Sequence, residues 1–157
     1  MMNSSLLLAS LAWLTAGADN AHAIMTQYLL SADTTVHAES GVGTYDRTIR
    51  TELDASVLLS GSDATLRVHR DNYTCVLHGA VTGDTVTLIQ GQKCPQSIRG
   101  DGFQADLDGT LQSGTGTIGA KSLLLTTKWD VRGTVKVGPL SIPVTGTVST
   151  TATGQKL

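Results

Sequence analysis

The chain has 157 residues, a formal net charge of −2 and only 15% charged residues, with 4% aromatics. So small a charge, with neither a basic stripe nor an acidic tail, leaves nucleic-acid binding without the phosphate neutralisation that supplies most of its affinity. The length suits one domain with a real core, and the two cysteines limit the chain to a single internal disulfide.

The first element is a leader. "SLLLASLAWLTAG" is an apolar run of about signal-core length, and "ADNAHA" ends with small residues at Ala21 and Ala23. The preceding "MMNSS" has no Lys or Arg, and a retained apolar helix is the alternative reading. The run is short for a membrane span, which needs about 20 apolar residues, so no span is expected in the mature chain. Residues 1–23 are predicted to be a signal peptide cleaved after Ala23, which makes the protein periplasmic or secreted. Removing 23 of the 157 residues leaves 134, read as one β-barrel-like domain over residues 24–157.

From Ile24 onward Thr, Val and Gly dominate, and turn signals recur about every 8 to 12 residues, the rhythm of all-β sandwiches and barrels. "IMTQYLL" opens the first strand. In "TIRTELDASVLL", Ile49, Thr51, Leu53, Ala55, Val57 and Leu59 share one face, and Arg50, Glu52, Asp54 and Ser56 the other. "SGSD" turns the chain into "ATLRVHR", with Ala64, Leu66 and Val68 in phase, and "DN" at Asp71 and Asn72 turns it again.

The next stretch, "NYTCVLHGAVTGDTVTLIQGQKC", holds both cysteines and reads as a hairpin turning at "TGDT". With Gly83 and Asp84 as the loop, Val81 faces Val86 and Cys75 lies diagonal to Cys94; with Asp84 and Thr85, the cysteines are directly opposite. Neither belongs to a Cys-x-x-Cys pair or has a histidine at finger spacing, so zinc and redox roles lack support. In an exported chain the plain expectation is a structural Cys75–Cys94 disulfide.

Phe103, Ala105, Leu107 and Leu111 mark a further strand, and "SGTGTIG" reads as a turn-rich crossing. The longest pattern is "LLLTTKWDVRGTVKV", where Leu123, Leu125, Trp129, Val131, Val135 and Val137 alternate with charged residues. Folding at Gly138 and Pro139 pairs Val137 with Leu140, Val135 with Ile142, Gly133 with Val144, Val131 with Gly146 and Trp129 with Val148. Gly146 then leaves room for the Trp129 indole, Gly133 is a plausible bend, and Pro143 asks for an edge or a bulge. The tail "TTATGQKL" is expected to fray. These elements predict an all-β fold: an antiparallel meander of about eight to ten strands forming a small barrel or half-open barrel.

The chemistry-bearing motifs have ordinary explanations. "GTGTIG" matches the dinucleotide fingerprint by letter, but it lies among strands rather than at a strand-to-helix junction. Asp101, Asp106 and Asp108 could offer oxygens to calcium, yet their spacing is not that of an EF-hand loop. "NYT" fits an N-glycosylation acceptor at Asn72. His37, His69 and His78 have no sequence-marked nucleophile, so no catalytic residue, metal or cofactor is assigned.

Tyr73-x-Cys75-x-Leu77, a Gly-Asp turn and "GQKC" resemble a hairpin motif of small exported bacterial β-domains of uncharacterised function. More loosely, an exported, disulfide-stapled meander is similar to the calycin-like barrels, which include apolar-ligand-binding lipocalins and small periplasmic inhibitors of lysozyme or proteases. The lipocalin Gly-x-Trp opening is absent, because the only Trp after the leader is Trp129. The expected function is therefore an exported, non-catalytic binding or interaction domain, with an unknown protein or a small apolar ligand as partner. The alternatives are a lipocalin-like carrier of a small apolar ligand and a periplasmic or secreted hydrolase inhibitor. A carrier would line its cavity with Leu53, Val57, Leu66, Val68, Leu125 and Trp129.

Overall fold

A computed structural model describes residues 22–70 and 73–157. The predicted leader, apart from its last two residues, and the acceptor Asn72 lie outside the described residues. Nine strands follow one another: β1 (Ile24–Ser40), β2 (Gly43–Ser60), β3 (Asp63–Arg70), β4 (Tyr73–Thr82), β5 (Thr85–Leu88), β6 (Lys93–Gly100), β7 (Phe103–Ile118), β8 (Ser122–Val137) and β9 (Leu140–Lys156). All pair antiparallel in one sheet of order β5-β4-β3-β2-β1-β9-β8-β7-β6, and a further β5–β7 pairing closes the meander into a ring. The predicted all-β antiparallel meander is the observed fold.

Strict alternation builds the ring. Along β1, Tyr28, Leu30, Ala32, Thr34, Val36 and Ala38 are buried and every residue between them is exposed. The same period puts Leu53, Ala55 and Val57 of β2, and Leu123, Leu125, Thr127, Trp129 and Val131 of β8, into the interior. Gly61, Gly83, Gly102 and Gly138 take positive φ in the tight connections, where other residues would be strained. The β8–β9 hairpin has the five pairings expected from Gly138 and Pro139.

The ring is not uniform. At the end carrying the Gly61 and Gly83 turns, eight strands close it, with β5 at Thr85–Thr87 beside β7 at Thr115–Thr117. Toward the other end, β6 replaces β5 beside β7, pairing from Lys93↔Thr110 to Gly100↔Phe103. There, among the described residues, Gly43–Leu53 of β2 pairs only with β1, and β6 pairs only with β7. The sheet curls enough to bring Tyr45 of β2 onto Phe103 of β7, with centroids 5.3 Å apart, and Arg47 lies 5.1 Å over the same ring.

Two expectations are corrected. "SGTGTIG" is not a crossing: β7 runs through it to Ile118, with a register shift between Leu111 and Ser113. Gly114 serves close packing, since a Cβ there would lie 2.6 Å from Leu88 Cδ1. The tail does not fray, because β9 lies between β1 and β8, Ala152 is fully buried, and Leu157 N–H donates to Gln27 O. Gly146 meets a close backbone approach: its Cβ would fall 1.9 Å from His37 O of the neighbouring β1 backbone. A glycine against the indole is Gly109, whose Cβ would sit 3.1 Å from Trp129 Cε3. Pro143 does have an edge: it pairs with Thr134 of β8, and the β1 pairing begins two residues later at Thr145.

Candidate functional site

The two cysteines meet, but not across one hairpin. Val81 does face Val86, yet the β4–β5 hairpin ends at Gly79↔Leu88. At Ile89–Gln92 the chain leaves β4 and joins β7. Gly91, at φ 82°, donates to Leu111 O, and Leu111 N–H donates to Gln92 O. The Gln92 side chain then stands in for the missing strand residue. Its Oε1 accepts from His78 N–H at 2.7 Å, and its Nε2 donates to His78 O at 2.9 Å. Cys75 and Cys94 therefore link β4 to β6 across a seam, with Cα atoms 5.7 Å apart and both side chains buried.

Beneath the staple lies an interior cavity of about 50 Å³. Four of the six predicted lining residues surround it, namely Leu53, Val68, Leu125 and Trp129, joined by Cys75 and Leu77. Val57 and Leu66 point inward as well but are packed into the core away from it. Sequence reasoning missed the polar half of the wall: Thr34, Arg70, Tyr73, Gln96, Thr127 and Thr150. The signal was present, because Arg70 is in phase with Ala64, Leu66 and Val68, and Thr127 lies between Leu125 and Trp129 on the same face.

The polar wall is partly organised. Trp129 Nε1–H donates to Thr127 Oγ1 at 3.0 Å, and the hydroxyls of Thr34 and Thr150 bond each other at 3.1 Å. Arg70 and Gln96, both half-buried, have no side-chain partner among the described residues. Nearby drug-sized ligands would be excluded, since their pockets run about 300–1,000 Å³. The volume suits one or two waters, each occupying about 30 Å³, or an ion of similar size.

The larger concavities lie on the outer face. One of about 780 Å³ crosses β6 to β9 and includes Lys93, Pro95, Asp108, Asp130, Arg132 and Thr145. A second, of about 480 Å³, shares Arg132 and Thr145 with it and extends to Glu39 and Pro143. Of the carboxylates considered for calcium, Asp106 bonds Ser97 and Gln104, whereas Asp108 faces the first concavity. Among the described residues no cluster of three potential metal-ligating side chains forms.

The three histidines sit on exposed faces: His37 bonds Asp46, His69 bonds Thr74, and His78 bonds Thr65. The hydrogen bond and the charge of Asp46, with a smaller contribution from Glu39, raise the His37 pKa above 6.5. A raised folded pKa means that this stabilisation is complete below the unfolded value and fades as pH rises through the folded one. NMR titration should place the His37 midpoint above 6.5, and Asp46→Asn should bring it back down. On the same face, the Arg50 guanidinium holds the Asp33 carboxyl below its usual range through paired hydrogen bonds at 2.8 Å.

No family profile matches the chain, and no curated protein matches it by sequence. Among solved structures it is similar to the ywiB protein of Bacillus subtilis, at 12% identity and a TM-score of 0.38, over 83% of this chain and 92% of that one. It is also similar to an AttH candidate, NE1406, of Nitrosomonas europaea, at 11% identity and a TM-score of 0.38, over 81% of this chain and 51% of that one. Likenesses this distant assign neither family nor activity, so the functional reading rests on the geometry of the chain itself.

Proposed function

We propose that this chain is an exported, non-catalytic binding domain that engages a protein partner through its outer surface. The observation that carries this reading is where the space lies: about 50 Å³ beneath the staple and about 160 Å³ beside Tyr45, Val135 and Ile142, against about 780 Å³ in the open concavity across β6 to β9. That concavity mixes Lys93 and Arg132 with Asp108 and Asp130, a polar, two-signed surface suited to hydrogen-bonded contact with another protein. Export is supported by the leader pattern and by the Cys75–Cys94 disulfide, since such bonds persist in oxidising compartments. The non-catalytic reading is supported by the histidines, whose side-chain hydrogen bonds run to Asp46, Thr74 and Thr65 on exposed faces.

A second reading, the calycin-like carrier of a small apolar ligand, draws on Trp129, Leu53, Val68 and Leu125 surrounding one interior space. The inhibitor alternative would dock by a strand face rather than by loops, because the connections after β1, β2, β4, β6 and β8 are each two residues long. Trp129 emission distinguishes the exterior reading from the carrier. In a chain carrying Trp13→Phe, a panel of fatty acids and apolar dyes is expected to give no saturable change. A saturable response at micromolar ligand would transfer the function to the interior.

A further inference from the structure

The interior cavity has an uneven lining. One wall is apolar, formed by Leu53, Val68, Leu77, Leu125 and the disulfide, and the other is rich in hydrogen-bond donors. Among the described residues, no Asp or Glu lines it. Arg70 supplies the only formal charge in the lining among the described residues, from a β3 position whose in-phase neighbours Ala64 and Leu66 are buried. A guanidinium carries five N–H donors and no acceptor, and half-burial makes leaving them unpaired expensive. Gln96 brings an amide NH₂ from β6, likewise without a hydrogen-bond partner among the described residues.

The hydroxyls add to the same polarity. Thr127 Oγ1 already accepts the Trp129 indole N–H, which leaves its own O–H free to donate. In the Thr34–Thr150 pair one hydroxyl donates to the other, which also leaves one O–H to spare. A neutral apolar ligand would satisfy none of these donors, whereas an anion could accept from several at once and balance the Arg70 charge. The volume of about 50 Å³ limits the guest to a few heavy atoms.

We propose that this cavity is a binding site for a small monovalent anion of the chloride, formate or acetate class, held by Arg70, Gln96 and Thr127 beneath the Cys75–Cys94 staple. The site is internal and separate from the outer concavity, so it neither requires nor excludes a protein partner there. The Trp129 indole reports on it directly, through its hydrogen bond to Thr127.

The test follows Trp129 emission in the full chain carrying Trp13→Phe, at constant ionic strength, against sodium formate, acetate, chloride, sulfate and decanoate. Saturable changes are expected with formate, acetate or chloride and none with sulfate or decanoate. Arg70→Met should weaken binding at least tenfold, and Arg70→Lys should recover part of the loss. Thr127→Val conserves shape and serves if the Arg70 variants fold poorly; losing the indole's acceptor shifts the baseline emission, so the concentration midpoint is read, and it should rise several-fold. Equal responses to all five salts, or none to any, would overturn the proposal. So would unchanged affinity in Arg70→Met or Thr127→Val, and saturable decanoate binding would overturn the size limit on which it depends.

Discussion

Replacing Gly146 with alanine should lower the unfolding free energy by about 3 kcal/mol, at the upper end of what overpacking costs. The added Cβ would lie 1.9 Å from His37 O and 2.7 Å from Ala38 Cα, and both are backbone atoms of β1. No rotamer change can relieve such a contact; the β1 backbone must move. Because β1 pairs along its length with β2 and over much of it with β9, a shift there disturbs two ladders. Gly41→Ala is the control: nothing lies within 4 Å of its added Cβ, and its effect should stay within about 0.5 kcal/mol. Urea unfolding of both variants under oxidising conditions checks the difference, and equal midpoints would contradict the close approach of β9 to β1.

Loss of the disulfide should cost about 3 kcal/mol, the chain-entropy value for a loop of this length, with Cys75 and Cys94 separated by 19 residues. The expected consequence is local as well as global. β4 and β6 are not paired by a ladder, so the seam between them is held by the staple and by the Gln92 amide on His78. In the Cys75→Ala/Cys94→Ala variant, the His78 and Leu111 amides should exchange with solvent faster than amides of the β1–β9 ladder. Uniform acceleration across the sheet would show instead that the staple acts only on the unfolded chain. Mass spectrometry of unreduced exported protein should find Cys75 linked to Cys94, and two free thiols would remove the compartment argument.

Much of the fold was legible because alternation is a local property. From Ile49 to Leu59, and from Leu123 to Val148, each side chain's face follows from counting by two, and the Gly138–Pro139 turn sets the register of its hairpin. The cysteine stretch shows the limit of this reasoning. Val86, Leu88 and Cys94 are all inward, so the even-numbered phase is kept across the turn at Ile89–Gln92 while the partner strand changes from β4 to β7. The face of a residue is encoded beside it in the chain, but the identity of its neighbour across the ladder is not.

The same distinction separates two kinds of glycine. A positive φ in a two-residue turn, as at Gly83 or Gly138, is a local demand that a hairpin pattern announces. Gly114, Gly133 and Gly146 sit within strands because Leu88, the Asp106 carbonyl and the His37 carbonyl approach them from elsewhere in the fold. Read locally, they suggested a crossing, a bend and room for an indole.

By itself the sequence determined the all-β class, the inward set that includes Leu53, Leu125 and Trp129, the disulfide partners and the β8–β9 register. Each of these follows from period, turn chemistry or cysteine count. Tertiary structure alone decided the ring closure between β5 and β7, the seam bridged by Gln92, and the meeting of Arg70, Gln96, Thr127 and Thr150 around one cavity. Those residues come from β3, β6, β8 and β9, and only curling the sheet back on itself brings their inner faces together. Period-two patterning specifies which way a side chain points; the twist and closure of the whole sheet specify what it points at.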